Sequence, residues 1–177
     1  GILKEKAYVN FGGGEPTILN EFEDLLDFFI KNNARHIDIL SSGIKHSQAI
    51  ENGIRVGKVF TVLSPDSGTP ETYLRIKQVP CFEKVWENIS KYVQAQTDGI
   101  SHVRTKFIFI PGINDTVSEV EKWLDLNRQI GIRDVLIDIE TSWFIANRNN
   151  ITAHIYDLIQ FAKDYSASLK INCWECV

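Results

Sequence analysis

The sequence predicts an α/β fold built on a parallel sheet, and three observations carry that prediction. Six short β-branched apolar runs recur along the chain: "AYVNF" (7–11), "HIDIL" (36–40), "VFTVL" (59–63), "KFIFI" (106–110), "VLIDI" (135–139) and "LKINC" (169–173). Longer segments of helical period separate them. The order strand, helix, strand, helix requires crossovers, and right-handed crossovers lead to a doubly wound sheet or to a barrel.

Each helical segment has its own signals. Asn20 is placed to cap the first, with Glu23 three residues later as in a capping box, and Phe22, Leu25, Leu26 and Phe29 mark its apolar face. Thr69-Pro70 reads as a cap followed by proline at the first helical position. Phe82, Val85, Trp86, Ile89 and Val93 form a second stripe. Thr116 and Glu119 repeat the capping box before Val120, Trp123, Leu124 and Ile130, and Gly131 is placed to stop that helix. Ile155, Leu158, Ile159 and Ala162 form the last stripe. No linker, repeat or low-complexity tract interrupts the chain, so residues 1–177 read as a single domain.

Composition excludes several classes. The 177 residues are 44% apolar and 24% charged, with a formal net charge of -4. No run approaches a membrane span, and no signal-peptide pattern opens the chain. Neither a basic balance nor a basic patch is visible, so a nucleic-acid partner held through phosphates is not expected. Cys81, Cys173 and Cys176 do not make a disulfide framework, and a reducing cytoplasm is the expected home. Cys173 and Cys176 have a spacing that could serve a metal, but a single such pair is more often incidental.

In parallel βα architectures chemistry collects at the carboxyl ends of strands. The first strand leads into Gly12-Gly13-Gly14-Glu15-Pro16-Thr17, the second into Ser41-Ser42-Gly43, and the third into Ser64-Pro65-Asp66. The fourth leads into Pro111-Gly112-Ile113-Asn114-Asp115. Glycines let a ligand reach main-chain groups that a Cβ would shield, and Glu15 adds an acceptor suited to an ammonium group. The Walker and dinucleotide fingerprints are absent, which weakens a phosphate reading without removing it. Asp138, alternating with apolar neighbours on the fifth strand, either points inward toward substrate or is simply a polar residue at a strand mouth.

These strand ends resemble a known family. "GGGEPT" resembles the Gly-Gly-Glu-Pro motif of radical S-adenosylmethionine enzymes. "SPDSGTPETYLRIKQVPCFEKVWENISKY" (64–92) and "KFIFIPGINDTVSEVEKWL" (106–124) resemble later segments of one branch, in the same order. The resemblance implies a partial parallel (β/α) barrel, a [4Fe–4S] cluster and reductive cleavage of S-adenosylmethionine to a 5'-deoxyadenosyl radical. It implies that Gly13, Gly14 and Glu15, with Pro16 beside them, hold the ammonium group of the cofactor. It places Ser42, Ser64 and Asp66 at strand ends facing the same cofactor. Gly112, Asn114 and Ile137 fall on the adenine side.

The family's Cys-x3-Cys-x2-Cys motif is not in the chain, and neither is any methionine. The expectation is therefore a fragment lacking the first strand and cluster loop, with a cut at its other end left open. Such a fragment would bind no cluster and be inactive alone, and its substrate cannot be read from the sequence. An exposed edge at "AYVNF" would allow self-association. Two other readings stay open: a binding or scaffold domain that has lost its cluster, and a phosphate-handling βα barrel.

Overall fold

The computed structural model describes residues 7–147 and 153–176. Its elements are β1 (Tyr8–Phe11), α1 (Phe22–Lys31), β2 (His36–Ser41), α2 (Gln48–Arg55), β3 (Val59–Leu63), α3 (Pro70–Lys77) and α4 (Phe82–Gln94). There follow β4 (Val103–Phe109), α5 (Val117–Ile130), β5 (Asp134–Ile139), α6 (Thr141–Asn147), α7 (Ala153–Ser168) and β6 (Asn172–Glu175). The strands lie in one six-stranded sheet in chain order, β1 to β6, and the pairs β1–β2, β2–β3, β4–β5 and β5–β6 are parallel. The sheet does not close: β1 and β6 stand at the two ends of the order.

Contacts divide the chain into two compact units, Gly1–Ser64 with Lys84–Arg104, and Pro65–Glu83 with Thr105–Val177. In the first, strand alternation sets the core. Ile37, Ile39 and Ser41 of β2 are buried, while His36, Asp38 and Leu40 are not. Phe22, Leu26, Ile50, Ile54, Val85 and Ile89 from the helices complete this core. Helix α2, which has its cap at Ser47, packs closely on β3. A Cβ added at Gly53 would lie 2.2 Å from Val59 Cγ2 and 2.9 Å from Val59 Cβ. Replacing glycine by alanine inside a helix gains about 1 kcal/mol of propensity. The clash with a buried β-branched side chain costs about 1–3 kcal/mol or more, so the clash wins. Gly53→Ala is expected to lower the urea midpoint, and a raised midpoint would show that α2 moves off the strand freely.

The second unit is organised around Trp123 of α5, whose ring lies 5.1 Å from that of Phe107. Phe109, Val135, Ile137 and Ile139 continue the buried side of β4 and β5, and Ile155, Leu158 and Ala162 of α7, which packs on α5 and β6, are buried as well.

Three local expectations are corrected. Helix α1 has Glu21, not Asn20, at its N-cap, with no side-chain cap bond. The Glu23 carboxylate accepts instead from Ala49 N–H in the first turn of α2, at 2.8 Å. At α5 only half of the capping box forms. Thr116 accepts from Glu119 N–H, but the Glu119 carboxylate turns away to Gly68, Thr69 and Thr72. The sixth strand begins at Asn172 rather than Leu169, because Lys170 takes a left-handed turn (φ +60°) that ends α7.

Candidate functional site

In the first unit the site grows from the turn after β1. Gly13 has φ +86° and Gly14 +155°, and a Cβ at either would meet nothing within 4 Å. Both values favour glycine, since a side chain rarely adopts either. The chain then enters a short 3-10 turn, Pro16–Ile18, with Glu15 at its cap accepting from Thr17 N–H.

Glu15 is tied more heavily than any cap requires. Its Oε1 also accepts from Thr17 Oγ1 at 2.6 Å and from Ser41 Oγ at 2.8 Å. Its Oε2 accepts from Ser42 N–H at 2.6 Å and from Ser42 Oγ in a short bond. Burial raises the pKa of this half-buried carboxyl, but hydrogen bonds from Ser42, Thr17 and Ser41 outweigh it and hold the group below the ordinary value of 4.5. Five donors meet the roughly four lone-pair positions of a carboxylate. Glu15 therefore serves as a stay that fastens the glycine turn to the end of β2. Ser64, one residue past β3, joins the same set through its N–H to Ser41 O at 3.2 Å.

What remains open is main chain. Among the described residues no hydrogen bond engages the N–H or C=O groups of Gly13 and Gly14. They line a cavity of about 390 Å³ with Asn10, Phe11, Pro16, Ile18 and Leu19. Exposed carbonyls beside a fixed carboxylate suit the ammonium end of an amino acid, and the open space suits a ligand that approaches the backbone directly. The amino-acid part of S-adenosylmethionine fits such a turn.

In the second unit Asp66 is 2% exposed, in a left-handed conformation (φ +55°). Its Oδ1 accepts from Ile108 N–H at 2.9 Å, and its Oδ2 pairs with Lys77 Nζ at 2.6 Å. Burial pushes this carboxyl up, against the pull of Lys77. Asn114 is fully buried and spans the loop: its Nδ2 donates to Asp66 O and Ile108 O, and its Oδ1 accepts from Ile110 N–H. Gly112 N–H donates to Asp115 Oδ1. Asp66 and Asn114 are thus hydrogen-bonded to each other, with their polar side-chain atoms engaged internally, and Gly112 is held in the same loop by Asp115. Ile137 stands apart, fully buried on the side of β5 it shares with Val135, in register with Phe107 of β4, and its carbonyl is taken by Cys176 N–H.

Ser41, Thr17, Lys77 and Glu119 complete these systems and were not singled out from sequence for these roles. The adjacent hydroxyls of Ser41-Ser42 at a strand end were the available signal.

No three His, Cys, Asp or Glu side chains among the described residues gather around a metal position. All three cysteines are free. Cys173 and Cys176 are an odd number of residues apart along a strand and its extension, so their side chains take opposite faces. Burial pushes the Cys173 thiol up to about 11 and raises Cys176 as well, which disfavours the thiolate a metal needs. The described residues do not fit an iron–sulfur cluster.

The comparison with protein families settles membership. The model of the Radical SAM superfamily matches residues 2–127. The chain belongs to the Radical SAM superfamily. Intact members use S-adenosylmethionine and a [4Fe–4S] cluster.

The chain is similar to "Probable GTP 3',8-cyclase" of Methanosarcina acetivorans, with 28% identity over 147 residues, covering 79% of this chain and 42% of that protein. The chain thus spans less than half the length of this curated relative. Solved radical SAM proteins share the fold. A domain of pyruvate-formate lyase-activating enzyme from Bacteroides vulgatus superposes with a TM-score of 0.72 at 12% identity, over 97% of this chain and 99% of that one. SuiB of Streptococcus suis, bound to S-adenosylmethionine, gives 0.72 at 13% identity, over 95% of this chain and 37% of that one. No helix among the described residues is long and apolar enough to cross a membrane.

Proposed function

We propose that this chain supplies the S-adenosylmethionine-holding part of a radical SAM enzyme. The whole enzyme cleaves the cofactor reductively, using a cluster whose ligands are not among the described residues. One observation carries the reading: main-chain groups at Gly13 and Gly14 are left open beside a 390 Å³ cavity, while Glu15 is fully spent on holding them in place. Gly13 and Gly14 bind the amino-acid end of the cofactor. Pro16 fixes the exit of the turn. Ser42 keeps Glu15 oriented, and Ser64 fastens the neighbouring strand end. Asp66, Gly112 and Asn114 shape a second strand-end loop, and Ile137 is a core residue of β5. Without a cluster to chelate the cofactor, the isolated chain is expected to bind it weakly and to show no cleavage.

The test is a titration of this chain with S-adenosylmethionine, followed through backbone amide NMR signals. The Gly13, Gly14 and Ser42 amides are expected to shift. Gly14→Val, at a φ of +155° that side chains rarely adopt, is expected to weaken binding about tenfold or more, by covering the main chain and by straining the turn that presents it. Cofactor-induced shifts that bypass residues 12–15 would refute the assignment. Inorganic phosphate moving the same amides, with S-adenosylmethionine leaving them still, would replace it with the phosphate reading.

A further inference from the structure

A second polar site lies in the unit that contains β4, β5 and β6. Strand alternation puts Phe107, Phe109, Val135, Ile137 and Ile139 on the buried side, where Trp123 of α5 meets Phe107. Lys106 and Asp138 therefore point to the opposite side. By register, Leu136 pairs with Trp174, which brings Cys176 level with Asp138 on that same side. The cysteine feels both charges there, since Lys106 and Asp138 each bear on its titration. Asp138, Ile139, Thr141, Phe144 and Cys176 line a cavity of about 250 Å³ at the carboxyl ends of β5 and β6.

Beside this cavity Asp138 pairs with Lys106, and both groups keep hydrogen-bonding capacity that faces solvent. Lys106 Nζ lies 2.6 Å from Asp138 Oδ2, and the side chains keep 20% and 23% of their exposure. Among the described residues Asp138 Oδ1 accepts from the neighbouring Ile139 N–H alone, at 2.8 Å. Two donors thus meet a carboxylate with about four lone-pair positions, and an ammonium with three N–H donors has one acceptor among the described residues. Glu15 shows the contrast: there five donors from the chain leave nothing for a guest. At Lys106–Asp138 each partner retains capacity for one more charged group, of opposite sign to its own. The adjacent wall, Phe144, is apolar. A ligand carrying an ammonium and a carboxylate on one carbon, followed by an apolar side chain, matches all three demands.

We propose that Lys106 and Asp138 form a head-group site for an α-amino acid, with Asp138 taking the ammonium, Lys106 the carboxylate, and the 250 Å³ cavity the side chain. This names a substrate class for the enzyme proposed above, and the word substrate rests on that reading. The binding itself is measured without cofactor, so either proposal can fail alone.

The experiment titrates this chain with L-phenylalanine, with 3-phenylpropionate (no ammonium) and with L-phenylalaninamide (no carboxylate), at millimolar concentration. The amides of Ile139, Thr141 and Cys176 are the reporters. L-phenylalanine is expected to shift them, with the two truncated probes about tenfold or more weaker. Asp138→Asn is expected to weaken L-phenylalanine by a similar factor. Because removing one charge leaves the other unpaired and risks the fold, the double variant Lys106→Met/Asp138→Leu removes both. It is expected to retain its circular dichroism and lose the shifts. No shift with L-phenylalanine, equal shifts with all three probes, or native-like binding by the double variant would each overturn the proposal. So would S-adenosylmethionine saturating these amides at lower concentration than L-phenylalanine, which would assign the site to the cofactor.

Discussion

Glu119→Ala is expected to destabilise the second unit by about 3–5 kcal/mol, the largest effect of any single polar change in this chain. Glu119 is 9% exposed and accepts three hydrogen bonds from one loop: Gly68 N–H at 2.8 Å, Thr69 Oγ1 at 2.6 Å and Thr72 Oγ1 at 2.9 Å. Truncation leaves the buried Gly68 amide and the buried Thr72 hydroxyl facing a void. Each unsatisfied donor costs about 1–3 kcal/mol, and water has little access to replace the acceptor. Glu119→Gln keeps the shape and one acceptor, and the threonine hydroxyls can turn to accept from its amide, so about 1–2 kcal/mol is expected. The loop lies directly against the helix backbone: a Cβ on Gly68 would stand 2.3 Å from Glu119 O and 2.8 Å from Trp123 N. Urea unfolding of the two variants checks this, read as a shift in midpoint at constant slope. Equal small losses for Ala and Gln would mean the loop finds other acceptors and the clamp is not as drawn.

Glu15→Gln is the second large effect, and it depends on pH. The native carboxyl is held below 4.5, so the unfolded chain takes up its proton first as pH falls. The stabilisation from the ionised form is fully present above the unfolded value and is lost as pH drops through the lower folded value. At neutral pH Glu15→Gln is expected to cost about 1–3 kcal/mol, because an amide cannot accept at both ends and its NH2 opposes the Ser42 N–H. In acid, where the native group is itself protonated, the two proteins should converge. Urea midpoints of both, measured at neutral pH and again well below 4.5, decide it. A gap that stays constant with pH would mean Glu15 acts through shape and not charge.

The strands were legible because buried parallel strands are written as short β-branched runs, and five of the six overlap their predicted runs closely. The exception, β6, was displaced because the left-handed turn at Lys170 that ends α7 leaves no glycine in the sequence to mark it. Both capping boxes were read from spacing alone. Spacing specifies where a glutamate can reach along its own helix, but not which amide elsewhere competes for it. Ala49 N–H won Glu23, and Gly68 N–H won Glu119. At the site, "GGGE" was legible as a turn that bares its backbone. Two of the three hydroxyls that saturate Glu15, those of Ser41 and Ser42, lie 26 and 27 positions away, and no local pattern announces such a partnership. Asp138 was visible as a candidate, whereas Lys106 becomes its partner only through the register of β4 against β5.

The bond from Glu23 to Ala49 N–H has a further consequence. An orphan amide at the start of α2 is quieted by a side chain belonging to α1, a helix that lies earlier in the chain and across a strand. Two neighbouring cylinders thereby share one electrostatic end-piece, and peeling one from the sheet strips the other of its cover. Excursions of α1 and of the first turn of α2 should thus occur in concert, as a single breathing motion beneath the glycine turn.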